Sequence, residues 1–398
     1  MDLSNKTSKA KLIASGVIPF VFIIILISYI FGPGSILLDL GVPLPEITME
    51  KIEFIDSEIH VTVRNTGPIP VVIAMADVND RIQSAAIEPD KSLERFETAL
   101  VRIPFSWNVA EPYTIGLTVD DGTRFEKEIE SAAPALESNL ELVGFFAIIG
   151  TYVGIIPVMI GLLWLPFIKN ISKNKYHFFL ALTIGLLLFL AIDSIEEALD
   201  VSTENLADIF NGTLLIATVT ILSFLGLYYS GEKLVKKAES SRITKPLAVA
   251  LMIAIGIGLH NFGEGLAIGA AVGLGSIAFS TFLIVGFALH NTTEGLAIAS
   301  PLSRDKSSFL GKAMIGKLAV LGLIAGTPAI FGTWVGGFVY SPFTSVIFLS
   351  IGAGAIFQVI IVILKWIREE CDKSLSSAAV VFGISVGMLI MYLTSILI

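Results

Sequence analysis

Leu259-His-Asn-Phe-Gly-Glu-Gly-Leu-Ala-Ile268 and Leu289-His-Asn-Thr-Thr-Glu-Gly-Leu-Ala-Ile298 repeat one phrase within a single chain. Each phrase lies mid-way along an apolar run, 247–273 and 276–302, long enough to cross a bilayer as a helix. His260 and Glu264 are four residues apart, as are His290 and Glu294, so each pair shares a helix face about 6 Å apart along the axis. Turn chemistry between the runs is confined to Gly273-Leu-Gly-Ser276, and residues 260 and 290 are equidistant from Gly275. An antiparallel hairpin therefore sets both histidines at one depth, with Glu264 one turn nearer the loop and Glu294 one turn farther from it. Two imidazoles and two carboxylates then converge inside the membrane, a donor set for a metal ion.

Composition agrees with a membrane setting. The chain of 398 residues is 54% hydrophobic with a mean hydropathy of +0.82, the profile of a polytopic membrane protein. Its net charge of −9 is uneven, because residues 45–141 carry a net −11 and the remainder +2. No basic patch stands apart from the membrane topology, which argues against a nucleic-acid partner. A single cysteine, Cys371, excludes an internal disulfide.

Lys6, Lys9 and Lys11 precede an apolar run from Leu12 to Phe31 that no small-x-small cleavage site follows, the pattern of a retained anchor. Over 45–133 the period changes to two, as in Glu58-Ile-His-Val-Thr-Val-Arg64 and Tyr113-Thr-Ile-Gly-Leu-Thr-Val119, with turn signals between. Short strands over about ninety residues predict one immunoglobulin-like β-sandwich. His60, alone on an alternating strand, reads as an ordinary rim residue.

Eight further apolar spans follow, at roughly 142–168, 177–199, 209–229, 247–273, 276–302, 313–338, 343–365 and 377–397. With the sandwich outside, the loops after the first, third, fifth and seventh spans face the cytoplasm. Those loops and their margins, with the N-terminal arm, hold all 18 basic residues found outside the sandwich. The positive-inside rule thus predicts a multi-pass cell-membrane protein with its N-terminus cytoplasmic and its β domain and C-terminus extracytoplasmic. The expected fold class is an all-α polytopic bundle, eight helices plus an anchor, with a small all-β domain. Its parts are 1–44, a cytoplasmic arm and anchor; 45–135, the β-sandwich; and 136–398, the eight-helix bundle.

An ionisable group at mid-bilayer costs about 2.5–3.5 kcal/mol on insertion scales, so such groups are functional by default. A divalent cation bound by two glutamates and two neutral histidines is electrically neutral and removes that penalty. The bland reading, hydrogen-bonded His–Glu pairs that only hold helices together, fits the duplication at matched depth less well. Asn261 and Asn291 lie about 100° round the helix from the histidines, where they either offer a carbonyl oxygen to the metal or bond to a neighbouring helix. Asp193 on the second span matches Glu264 in depth, and Glu197 lies four residues on along the same face. They either join the site, attract cations toward it, or lie at a solvated helix end. Glycines at small-residue spacing (Gly265, Gly269 and Gly273; Gly332 and Gly336; Gly352 and Gly354) read mostly as packing positions.

With these residues in hand, 142–398 resembles the ZIP (Zrt/Irt-like) family of divalent metal transporters. The words that carry the resemblance are His260-Asn-Phe-Gly-Glu-Gly and His290-Asn-Thr-Thr-Glu-Gly, with weaker support from Ala353-Gly-Ala-Ile-Phe357. The resemblance implies eight helices with both ends outside, a homodimer, and movement of metal toward the cytoplasm. The chain departs from the family in having Gly263 and Thr293 where proline is common and Asn291 where an acid is common. It also lacks a glutamate in Leu321–Ile330, and has no histidine cluster at 231–246. Asn291 and the missing glutamate speak against the family's second, adjacent metal position, which leaves one principal position, His260, Glu264, His290 and Glu294, with Asn261, Asn291 and Asp193 secondary.

The expected function is transport of a divalent ion, not enzymatic catalysis. Mixed nitrogen and oxygen donors without thiolate suit zinc first, then iron(II), manganese, cobalt and cadmium. The ion is substrate, and no prosthetic group is expected. The partners are that ion and the lipid bilayer; no motif assigns the β domain a ligand. An intramembrane metal hydrolase would need three ligands, an open water position and a separate general base, and no such spacing is present. A metal-sensing receptor would bind the ion without moving it. Protons compete for the same donors, so binding weakens at acidic pH.

Overall fold

The computed structural model describes residues 17–18, 21–25, 44–129, 132–134, 139–206, 211–239, 244–273, 277–304, 312–339, 341–371 and 377–397. Of the anchor expected over 12–31, only 17–18 and 21–25 are described, and they are helical; 274–276 of the hairpin turn lie outside the described residues.

Nine strands follow in the β region: β1 (Ile47–Ile55), β2 (Glu58–Asn65), β3 (Val71–Val78), β4 (Arg81–Gln83), β5 (Ala86–Glu88), β6 (Ser92–Leu93), β7 (Thr98–Pro104), β8 (Tyr113–Val119) and β9 (Arg124–Ile129). One antiparallel sheet has the order β1-β2-β7-β5, and the other β4-β3-β8-β9 with β6 also on β3. The two-residue period turns Ile59, Val61 and Val63 of β2 and Ile115, Leu117 and Val119 of β8 into one shared core. Arg124 on β9 grips Asp77 on β3 with two hydrogen bonds, Nε to Oδ2 at 3.0 Å and Nη2 to Oδ1 at 2.7 Å. The pair spans β8, where Gly116 opposes Asp77 and a Cβ would overlap its carboxylate. His60 pairs with Glu58 at 2.8 Å.

The helical region comprises α1 (Leu140–Asn170), α2 (Lys173–Asn205), α3 (Gly212–Glu239), α4 (Lys245–Gly273), α5 (Ile277–Leu302), α6 (Lys312–Phe338), α7 (Pro342–Cys371) and α8 (Ala378–Leu397). Each covers one of the eight apolar spans. Among the described residues the first seven are long and apolar enough to cross a membrane, and α8 contributes a shorter apolar helix. Unlike the others, α1 is interrupted: a π turn at Thr151–Ile155 follows its first segment, Pro157 lies just beyond, and a break precedes Leu165.

The helices pack as two groups. In one, α4 runs along α6, and α1 packs on α5 and α6; in the other, α2 packs on α7 and α8, and α3 on α7. The groups meet mainly through α4 and α7. Glycine makes the α4–α6 contact this close. A Cβ at Gly265 or Gly269 would overlap the Ala329 or Thr333 carbonyl, and one at Gly332 or Gly336 the Phe262 or Leu266 carbonyl.

Packing is lopsided along the bundle axis. The largest core cluster draws on α2 from Tyr176 to Ala191, α4 from Val249 to Ile257 and α5 from Leu296 to Leu302, all on the side of the repeated phrases nearer the basic loops. There Trp366 Nε1 donates to Tyr176 Oη at 2.8 Å and Tyr176 Oη to the Ser300 carbonyl at 3.1 Å, pinning α2, α5 and α7 together. At the other end α2, α5 and α8 surround a cavity of about 980 Å³.

Candidate metal centre

The two phrases lie on continuous helices. Gly263 and Thr293 do not interrupt them, and Thr293 Oγ1 donates back to the His290 carbonyl at 2.7 Å. The irregularity lies instead on a helix packed against α5, at the π turn and Pro157 of α1, while Pro328 sits inside the continuous helix α6.

Antiparallel packing of α4 and α5 brings His260, Glu264 and His290 together with ligand atoms within 4.8 Å of one another, all three buried. They are the group among the described residues that can hold a metal ion. Glu264 is the hinge of the arrangement. His290 Nε2 donates to its Oε1, and His260 Nε2 lies 3.1 Å from the same oxygen but outside hydrogen-bond geometry. The imidazole centroids are 6.4 Å apart. An ion between the three atoms would displace the imidazole proton and take two nitrogens and one carboxylate oxygen, leaving positions for water.

The second carboxylate oxygen is already committed. Asn291 Nδ2 donates to Glu264 Oε2 at 2.9 Å and to the Val153 carbonyl of α1 at 3.1 Å. That carbonyl sits in the π turn, and Pro157, four residues on, has no N–H to return to it. Asn261 likewise bonds across to α6, where its Nδ2 donates to the Ala325 carbonyl at 3.1 Å. Both asparagines therefore bond to neighbouring helices through nitrogen, and both Oδ1 atoms are buried without a hydrogen-bond partner among the described residues.

Glu294 is 1% exposed but outside the group of three. The spacing explains why: it projects one turn from His290 toward the basic loops, whereas Glu264 projects the opposite way. Its two oxygens lack hydrogen bonds of normal geometry among the described residues, and Asn261 is the polar side chain alongside. Asp193 and Glu197 of α2 do not ligate the group either. They border it across a small cavity of about 10 Å³, room for one water, whose walls include His260, Glu264 and Phe287.

Sequence reasoning gave Gly352 a packing role only and did not single out Phe287. The Phe287 ring packs 5.4 Å from that of His290. A Cβ at Gly352 of α7 would come within 3.6 Å of His260 Nδ1, so this glycine sets how closely α7 backs the imidazole. Gly352 carried a packing signal in its spacing; Phe287 carried none, being one apolar residue among many.

The chain matches no protein-family model, and no curated protein matches it.

Proposed function

We propose that this chain is a transporter of divalent metal ions on the ZIP plan, with zinc its foremost substrate, moved toward the cytoplasm. One observation carries the reading: two helices of a membrane-type bundle present the same His-x-x-x-Glu phrase, and their side chains converge in the buried group His260, Glu264 and His290. A site that merely glued helices would have no need of an approach from one side. Here a large cavity reaches His290 from one end, while the main apolar cluster closes the bundle toward the basic loops. Basic loops mark the cytoplasmic side, so the cavity faces outward. Transport then requires one helix group to move relative to the other, opening the site to each side in turn. The donor set of two imidazoles and a carboxylate, without thiolate, favours zinc and other borderline divalent ions over copper(I).

Purified protein in liposomes loaded with a zinc-sensitive dye tests this reading. Externally added zinc raises internal zinc in the wild type, and His290→Ala lowers the initial rate by at least about tenfold, as loss of a ligand demands. Equal rates in empty liposomes, wild type and His290→Ala would exclude transport through this site. Competition by iron(II), manganese, cobalt and cadmium in the same assay ranks the ions.

A further inference from the structure

The two cavities beside the buried group share walls. Leu190, Asp193, Glu197 and Phe287 line both the large outer cavity and the small inner one. The outer cavity has an acidic side, because Asp193, Glu196, Glu197 and Asp200 follow one face of α2 at steps of three and four residues. Asp193 is open to that cavity although the sequence places it as deep as Glu264. The other side comes from α5 and α8 and is mostly apolar, with His290, Thr293 and Ser395 among its residues. From the inner cavity, His260 contributes a 4%-exposed imidazole whose Nε2 has no hydrogen bond. An acidic ladder thus ends at a chamber the size of one water, walled by an unsatisfied nitrogen donor and by Glu264.

From this arrangement we propose that Asp193 and Glu197 form a staging site for a hydrated divalent cation, distinct from the ligands that hold the ion in the buried group. The proposal rests on the transport reading above and adds a step to it. The ion arrives along the face of α2 with its water shell and is held by two carboxylates one turn apart. It then meets His290, which lines the outer cavity itself, and passes the ring of Phe287 to reach Glu264 and His260. Carboxylates in a cleft with low-dielectric walls focus the field and raise the local cation concentration, which increases arrival rates by roughly 10–1,000-fold. Glu197 and Asp193 remain outside the group of three, so the ion exchanges water for protein donors only on leaving them. Phe287 and Leu190 line both cavities and form the apolar part of the wall between the outer cavity and the His260–Glu264 side of the group.

The test compares wild type with the double variant Asp193→Asn, Glu197→Gln, which keeps side-chain size and removes both charges. Cobalt(II) is the probe for the buried group, read by its visible absorption in purified full-length protein; zinc uptake into liposomes is the probe for arrival. The double variant is expected to bind cobalt at the buried group with affinity within about twofold of wild type, which also reports a folded site. Its zinc uptake at concentrations well below half-saturation is expected to fall by about tenfold, and the wild type's loss of rate with added salt is expected to flatten. Uptake equal to wild type at low zinc overturns the staging step and leaves the transport reading standing. A cobalt affinity that drops in step with uptake also overturns it, because the two acids would then be ligands of the buried ion. Absence of any cobalt spectrum in the wild type removes the buried site itself, and both readings fail together.

Discussion

Asn291 illustrates how one side chain can serve both the backbone and the site. Its amide nitrogen is shared between a carbonyl that Pro157 cannot satisfy and the carboxylate oxygen of Glu264 that does not face the histidines. Holding Oε2 leaves Oε1 as the atom presented to both imidazoles, which is a matter of orientation rather than charge. Asn291→Ala is therefore expected to weaken zinc binding by about 10–100-fold, the range found for partners that orient a metal ligand, and to lower thermal stability through the exposed Val153 carbonyl. In Pro157→Ala the new N–H serves that carbonyl, so adding Asn291→Ala to it should leave the affinity loss intact while shrinking the stability loss. Titration calorimetry and thermal unfolding of the four proteins separate the two roles. Stability losses of equal size in both backgrounds would show that Val153 was never in need of Asn291.

Helix α4 carries two glycines with opposite demands, two residues apart. At Gly263 the nearest atom to an added Cβ is 3.8 Å away, ordinary contact, whereas at Gly265 the Ala329 carbonyl of α6 already occupies the place. Gly265→Ala is expected to push α6 away and cost about 1–3 kcal/mol by overpacking. Gly263→Ala should be neutral or slightly stabilising, since alanine is favoured over glycine in a helix by about 1 kcal/mol. The midpoint of thermal unfolding in detergent reads the difference; similar midpoints for the two variants would mean that α4 and α6 are not in close contact there. The same logic explains why α4 and α6 are the most intimately packed pair. Small residues alternate along both helices, and without a hydrophobic drive between helices in lipid, close backbone approach is what holds them.

The molecule combines a β region, an acidic and soluble-looking unit with its own core, and a helical region whose apolar packing is concentrated on one side of the buried group. Each region has its own stabilising contacts, so their unfolding should be separable. Asp77→Ala strips Arg124 of a bidentate partner that is largely buried, although the guanidinium itself remains one-third exposed. Hydrogen bonding to Asp77 holds the Arg124 guanidinium above its usual, already high, range. Solvent screening on the exposed side limits the loss, and about 1–3 kcal/mol is expected. Differential scanning calorimetry of the full chain should show an early transition moved down by the variant and a later, zinc-stabilised transition unmoved. A zinc-stabilised transition that shifts with Asp77→Ala would mean that the two regions unfold as one.

Much of this organisation is written in local pattern. Period-two alternation marked strands at Glu58–Asn65 and Tyr113–Val119, and eight apolar spans fell on α1 to α8, because burial repeats every two residues in a strand and uninterrupted apolarity is what lipid requires of a helix. The repeated phrase was enough to place His260 and His290 at one level, with Glu264 one turn nearer the loop, since antiparallel helices meeting at a turn must match residues equidistant from it. What pattern could not supply was direction across the helix axis. Glu294 shares the spacing of Glu264, yet it is buried outside the group that Glu264 forms with both imidazoles. Asn291 also reaches a carbonyl of α1, more than a hundred residues earlier, while it donates to Glu264. Asp193 and Glu197 border the site across a water-sized gap that α2, α4, α5 and α7 enclose together. Depth along a helix is a property of sequence position, whereas which side chains face one another, and which cavity lies between them, is decided by how separate helices rotate and pack.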